Sequence, residues 1–242
     1  MATKKGYIKA NIVENTEIGN NVYKMVLKGS FEGKPGQFYM LKSWKGYPLL
    51  ARPLSICDKD EDSITFLYLV VGKGTEILKN LGSDSEIELL GPLGNGFELK
   101  AGKVAIIAGG IGIAPMLYLA KSLGQKFDLY VGFRSQPYFI EAFDGLVENT
   151  VISTEDGSIG KKGYITQYIE DKYDAVYVCG PNSFMNAVQK LNLKGKVFLS
   201  LEAHMACGIG ACLGCSVQTI YGVKRVCRDG PVFQSDEVIF NA

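Results

Sequence analysis

Four cysteines near the end of the chain are spaced Cys207-x4-Cys212-x2-Cys215-x11-Cys227. The first three, with a more distant fourth, follow the pattern that holds a plant-type [2Fe–2S] cluster. Two iron atoms need four thiolates, and two tight loops can present three of them from one side. The residues between them are small: Gly208, Ile209, Gly210 and Ala211, then Leu213 and Gly214. Such a backbone can wrap closely, with N–H groups left to point at sulfur and offset the cluster's negative charge. A four-cysteine zinc site more often uses two C-x2-C knuckles, and here only Cys212 and Cys215 form one. A pair of disulfides is the third reading, which a reducing compartment disfavours. Cys57 lies in an apolar run and reads as an inert core residue.

A second candidate site is the run Ala108-Gly109-Gly110-Ile111-Gly112-Ile113-Ala114-Pro115 between an expected strand and an expected helix. Glycines there allow a close approach, and a helix N-terminus suits a pyrophosphate. The run departs from G-x-G-x-x-G: Pro115 stands where the third glycine would be. No Asp or Glu closes the next strand, which ends Gly132-Phe133-Arg134. Taken alone, nucleotide binding and a simple tight turn both fit. Cys179-Gly180-Pro181 ends a later strand of the same unit, and ligands of open α/β sheets sit at such ends. Together the two segments favour one nucleotide site.

Arg52-Pro53-Leu54-Ser55 combines a cation and a hydroxyl that could grip a phosphate and a ring edge; a surface arginine entering a strand is the other reading. Gly72-Lys73-Gly74-Thr75 is another possible anion cradle. His204 and Glu202 precede the cysteines, either as tuning groups or as ordinary surface residues. Trp44, in an aromatic-rich loop, reads as a partner surface or as a cover for the core.

The elements that must position these residues change character twice. Residues 1 to about 100 hold short β-branched and aromatic runs at 7–13, 22–28, 37–42, 54–57, 63–71 and 86–90, separated by turn signals, as in a small barrel or sandwich. From about 101 to 201, runs at 104–108, 129–131, 175–179 and 197–201 alternate with helical patterns at 113–123 and 182–191, with Asn182 an expected N-cap. That alternation indicates a parallel α/β sheet. Residues 202–242 are short and turn-rich, with a hairpin expected through Tyr221-Gly222. So small a module cannot hold a core alone, and a metal centre would help fix it.

Bulk properties narrow the function classes. The chain has 242 residues, 47% of them hydrophobic, and a net charge of +1, which gives no reason to expect nucleic acid or a polybasic membrane patch. No apolar run is long enough for a membrane helix, and the two lysines near the start are not followed by the apolar stretch of a secretion leader. The expectation is a cytoplasmic protein. One histidine, His204, is too few for a multi-histidine metal site or a triad with a spare base, so chemistry must lean on thiolates or a bound cofactor.

The motifs Arg52-Pro53-Leu54-Ser55, Gly74-Thr75, Gly91-Pro92-Leu93-Gly94-Asn95-Gly96-Phe97, the Gly109 to Pro115 loop and Cys179-Gly180-Pro181 stand in the order seen in the ferredoxin–NADP reductase superfamily. With the segment from Met205 to Cys215, the chain closely resembles the electron-transfer subunits of class 1B dihydroorotate dehydrogenases over nearly its whole length. The resemblance implies a multi-domain β plus α/β fold: an antiparallel β-barrel FAD domain (1–100), a parallel-sheet NAD domain (101–201) and a small C-terminal [2Fe–2S] module (202–242). It implies that Arg52, Pro53, Leu54 and Ser55 contact the flavin and its phosphate. Leu67, Tyr68 and Leu69 would line the FAD by backbone and ring contacts, with Gly74 and Thr75 at the pyrophosphate. Gly109, Gly110, Gly112, Cys179 and Gly180 would flank an exchangeable NAD. Some members carry a basic residue where this chain has Leu69, so contact there is expected through the backbone. Arg134 by itself leaves the choice between NAD and NADP open.

The implied activity is electron transfer between NAD(H), FAD and the cluster, to or from the FMN of a separate dihydroorotate dehydrogenase catalytic subunit in pyrimidine biosynthesis. The implied assembly is a heterotetramer. The alternatives are a small flavin and iron–sulfur subunit of another NAD(P)H–ferredoxin or sulfide oxidoreductase, a nucleotide-binding redox or metal sensor, and a zinc-stabilised binding module.

Overall fold

The computed structural model describes residues 6–240. Lys4 and Lys5, the two lysines of the leader argument, lie outside the described residues. Among the described residues no helix is long and apolar enough to cross a membrane.

Six antiparallel strands close a barrel: β1 (Ile8–Gly19), β2 (Val22–Lys28), β3 (Phe38–Lys42), β4 (Arg52–Lys59), β5 (Ser63–Leu69) and β6 (Glu86–Leu93), in the spatial order β1-β2-β5-β4-β3-β6. Alternation puts Met25, Leu27, Ile56, Ile64, Phe66, Ile87 and Leu89 inside, each fully buried. Closure leaves no unpaired edge. Helix α1 (Lys73–Lys79) covers one end through the buried Leu78.

The second unit is a seven-stranded sheet in the order β10-β9-β8-β7-β11-β12-β15. Its strands are β7 (Val104–Gly109), β8 (Phe127–Phe133), β9 (Val147–Thr154), β10 (Lys161–Lys162), β11 (Ala175–Cys179), β12 (Lys196–Ser200) and β15 (Val232–Gln234). All run parallel except β15, which pairs antiparallel to β12. β7 and β11 are buried along their whole length, which accounts for their unbroken apolar sequences. The period of two divides their side chains between faces. Ile106 and Ala108 join the cluster of Met116 and Leu119 from helix α2 (Ala114–Ser122). Ala105 and Ile107 join that of Met185 and Val188 from helix α3 (Asn182–Gln189).

The expected N-cap moves by one residue. Pro181 occupies that position, and Asn182 is the first helical residue with no capping side-chain bond. A proline fits the extended conformation there and gives up no needed N–H.

The cysteine-bearing segment is mostly turns. It contains a hairpin of β13 (Ser216–Thr219) and β14 (Gly222–Arg225), one helical turn α4 (Val226–Asp229), and then β15. Through β15 this segment extends the sheet of the second unit.

Candidate functional site

A cleft of about 520 Å³ opens between the barrel, the strand-to-helix turn of the sheet and the start of the cysteine segment. Arg52, Pro53, Leu54 and Ser55 of β4 line it, with Leu67, Tyr68 and Leu69 of β5 and Thr75 of α1. The barrel's sheet order explains this. β4 and β5 are antiparallel neighbours, and the turn 70–75 continues directly from β5.

Arg52 is held on three sides. Its guanidinium lies 5.5 Å from the centre of the Trp44 ring, and its Nη1 donates to the Leu50 carbonyl. Its third neighbour is Gly74, where an added methyl would overlap the guanidinium. The close approach of Gly74 thus shapes the arginine's seat. Trp44 is buried and donates to the Pro48 carbonyl, so it covers the core, while Tyr47 and Leu49 beside it are exposed.

Thr75 is buried, and its hydroxyl organises the turn. It accepts from Val71 N–H (3.0 Å) and Gly72 N–H (3.2 Å) and donates to the Gly72 carbonyl (2.9 Å). Tyr68 turns its hydroxyl into the barrel, donating to Asn15 Oδ1 at 2.8 Å, while Leu69 is exposed at the rim.

The opposite wall begins at the glycine loop. Ile111, Ala114 and Pro115 line the cleft. Gly110 has φ +54° and open space around its α-carbon, so a ligand can lie against bare backbone. Gly112 packs on the Cys179 carbonyl, where a methyl would collide. Gly109 and Gly180 both lie under the Phe184 ring, so the ends of β7 and β11 are locked together. Cys179 is buried, and burial pushes its thiol up, helped by the nearby Glu202 carboxylate. It contributes backbone and shape, with no thiolate.

The floor consists of residues that sequence reasoning did not assign to a ligand: Phe38, Asn182, Leu201, Ala203, Met205 and Pro231, together with Glu202 and His204. Glu202 is open to the cleft, yet its crowded setting raises its carboxyl above the usual range. Nothing in the sequence marks 201–205 as cleft wall, because only the end of β12 puts it there.

Cys207 follows Met205 by two residues, about 7 Å of chain at most. The next residue, Gly208, packs against Met40 of β3 and Leu93 of β6, which ties the cysteine loop to the barrel. The four cysteines form two pairs. Cys212 N–H donates to Cys207 Sγ, and Cys227 N–H to Cys215 Sγ. All six cysteines of the chain are free thiols. Among the described residues no three histidine, cysteine, aspartate or glutamate side chains converge as for a single ion.

Backbone donors already aim at sulfur. Ala211 and Cys212 N–H point at Cys207 Sγ (3.3 and 3.4 Å), and Cys227 N–H points at Cys215 Sγ (3.4 Å). Burial pushes the Cys207 thiol up, but N–H groups of Cys212, Ile209 and Ala211 outweigh it and hold it at about 6. Burial and the Cys215 sulfur raise Cys227 to about 12. An all-thiol donor set, paired two and two, with N–H donors in place, fits a two-iron cluster. Cys57 is fully buried, its thiol raised by burial, and it packs in a different buried cluster from Cys215 and Cys227.

Comparison with known proteins agrees with this geometry. Residues 202–239 match the model of the iron–sulfur cluster binding domain of dihydroorotate dehydrogenase B. The electron transfer subunit of dihydroorotate dehydrogenase B (NAD(+)) from Clostridium acetobutylicum is 48% identical, over 98% of this chain and 99% of that one. Its counterpart from Caldanaerobacter subterraneus subsp. tengcongensis is 44% identical, over 96% and 98%. Among solved structures, one of an NADH-dependent reduced ferredoxin–NADP oxidoreductase, described in work on flavin-based electron bifurcation, superposes with a TM-score of 0.86. It is 28% identical over 95% of this chain and 89% of that one.

Proposed function

We propose a function from this premise: the chain belongs to the family of dihydroorotate dehydrogenase B electron transfer subunits. It is the electron-transfer subunit of an oxidoreductase, working with NAD, FAD and an iron–sulfur cluster beside a catalytic partner subunit. Beyond that, the partner carries FMN, the assembly is a heterotetramer in the cytoplasm, and the electrons come from dihydroorotate in pyrimidine biosynthesis.

The cleft supports a role for each of the individual residues. Arg52 neutralises a phosphate of FAD, with its orientation fixed by Trp44 and by the Leu50 carbonyl. Ser55 and the backbone of Leu67 to Leu69 border the flavin ring. Gly74 leaves room for Arg52, and Thr75 keeps the 71–75 turn in the shape that receives the pyrophosphate. Gly109, Gly110 and Gly112 with Cys179 and Gly180 form the edge against which NAD lies. Cys207, Cys212, Cys215 and Cys227 would supply the four thiolates of the cluster. When bound, FAD supplies the exchange between a two-electron hydride and the single electrons that the cluster carries. The protein needs no acid or base of its own for this task; it orients, and it keeps water from the reacting faces.

The observation that carries this reading is continuity: one chain segment forms the cleft wall at 201–205 and reaches Cys207 two residues later. The test uses the reconstituted complex with its catalytic partner. A Cys207→Ser variant should keep FAD and still accept hydride from NADH, yet fail to couple dihydroorotate oxidation to NAD. Full coupling in that variant would contradict the assignment. A second reading, as the small subunit of an NADH-dependent ferredoxin–NADP oxidoreductase, has the structural likeness at 28% identity behind it, against 48% for the first.

A further inference from the structure

The peptide group between Gly210 and Ala211 is held at both ends. Its N–H, that of Ala211, points at Cys207 Sγ at 3.3 Å. Its carbonyl, that of Gly210, accepts from Arg225 Nη1 at 3.1 Å. A trans peptide is planar, so its N–H and C=O point opposite ways. A donor fixed on the oxygen therefore fixes where the N–H points. It also polarises the group, which makes the N–H a stronger donor.

Arg225 is itself held. Its Nε and Nη2 donate to Asp229 Oδ2 and Oδ1 (3.2 and 3.5 Å), and its backbone N–H donates to Asp229 Oδ2 at 2.8 Å. Both side chains are half-buried. Asp229 is tied in turn to the segment that leaves the barrel, because its carbonyl accepts from Asn95 Nδ2 at 3.1 Å. Cys227 lies in α4, the helical turn that Arg225 and Asp229 close. One guanidinium thus joins the loop of Cys207 to the turn of Cys227.

Arg228 supplies the contrast. Its methylenes lie against Gly210, but its side chain is exposed, and among the described residues its guanidinium makes no hydrogen bond or ion pair. It brings the same charge to the same loop without gripping the peptide.

We propose that Arg225 is a positioning residue for electron transfer: by holding the Gly210 carbonyl it keeps Ala211 N–H aimed at the Cys207 sulfur, and so raises the reduction potential of the cluster. A donor aimed at a ligand sulfur favours the reduced form, which carries more negative charge. The proposal rests on the reading of the four cysteines as the cluster's ligands.

The test is a redox titration of the holo complex, followed by electron paramagnetic resonance of the cluster, at low and high salt. Arg225→Met should disfavour the reduced form about tenfold, a fall of about 59 mV for a one-electron couple. The fall should persist at high salt, because a hydrogen bond within the protein is little screened. Arg225→Lys keeps the charge but lacks the fork that spans Asp229 and Gly210, so it should fall part of the way. Arg228→Gln removes an equal charge and should change the ratio by less than about twofold, and not at all at high salt. Iron–cysteine stretching bands in resonance Raman should move in Arg225→Met and stay in place in Arg228→Gln. Iron and sulfide content report that each variant keeps its cluster. An unchanged potential in every Arg225 variant that keeps its iron overturns the inference and leaves the ligand assignment standing. So does an equal fall in Arg228→Gln. Absence of iron and sulfide from the unmodified chain overturns the assignment and the inference together.

Discussion

The flavin cleft and the cysteine segment are built by opposite means. The cleft is set by a closed barrel with a dry core and by two strands locked end to end, so its shape needs no cofactor. The cysteine segment has two four-residue strands, one helical turn and many bends, and its best-defined features are N–H groups aimed at sulfur. The difference teaches where each redox group's stability comes from. On the proposed function FAD would bind to a preformed surface, whereas the cluster would be part of what holds its own segment together.

The largest expected effect comes from breaking the second region. Cys227→Ser, or anaerobic removal of iron by a chelator, should abolish the cluster and reduce NAD-linked dihydroorotate oxidation by at least about 100-fold. Hydrogen exchange should show residues 202–239 losing protection while barrel amides keep theirs. Equal loss in both regions would erase the contrast.

Next comes the anchor of the first region. Arg52→Ala removes a charge-assisted contact that is typically worth about 1.5–3 kcal/mol, a loss of roughly 10–150-fold in FAD affinity, readable by fluorescence titration. The cluster's absorption and iron content should be unchanged. Smaller again is Gly112→Ala. The new methyl meets the Cys179 carbonyl, so the β7–β11 lock must shift at a cost of about 1–3 kcal/mol. KM for NADH should rise while FAD is retained, which would separate the two walls of the cleft.

The smallest effect belongs to the opposite end of the sheet. Asp128 at the start of β8 accepts from Tyr173 Oη (2.7 Å) and Asn149 (2.8 Å), and Lys172 lies 3.2 Å away. Burial pushes its carboxyl up, but these partners outweigh it and hold it below the usual range. Its contribution to stability is therefore complete above the ordinary carboxylate range and fades as pH falls through the lowered value. Asp128→Asn should flatten the acid limb of a melting-temperature profile and leave NADH-driven reduction unchanged.

Much of this was legible in the sequence, because its signals are local. The cysteine spacing, the glycine loop between a strand and a helix, and the unbroken apolar runs of β7 and β11 need no tertiary information. What escaped is non-local. β9 begins with the polar stretch Val147-Glu148-Asn149-Thr150 and carries no strand pattern until its buried end. β15 has three residues and is a strand only because β12 offers an edge. Asn182 reads as a cap by type, but Pro181 takes that place. Residues 201–205 become cleft wall only through sheet order, which spacing along one strand does not encode.

The central claim is that electrons pass between NAD and the cluster only by way of FAD in the cleft. The direct measurement is electron paramagnetic resonance of the cluster after anaerobic addition of NADH to protein stripped of FAD but retaining iron, compared with the same protein refilled with FAD. The account predicts no reduced-cluster signal until FAD is restored, although dithionite reduces the cluster in both. A reduced cluster from NADH alone in the flavin-free protein would contradict it.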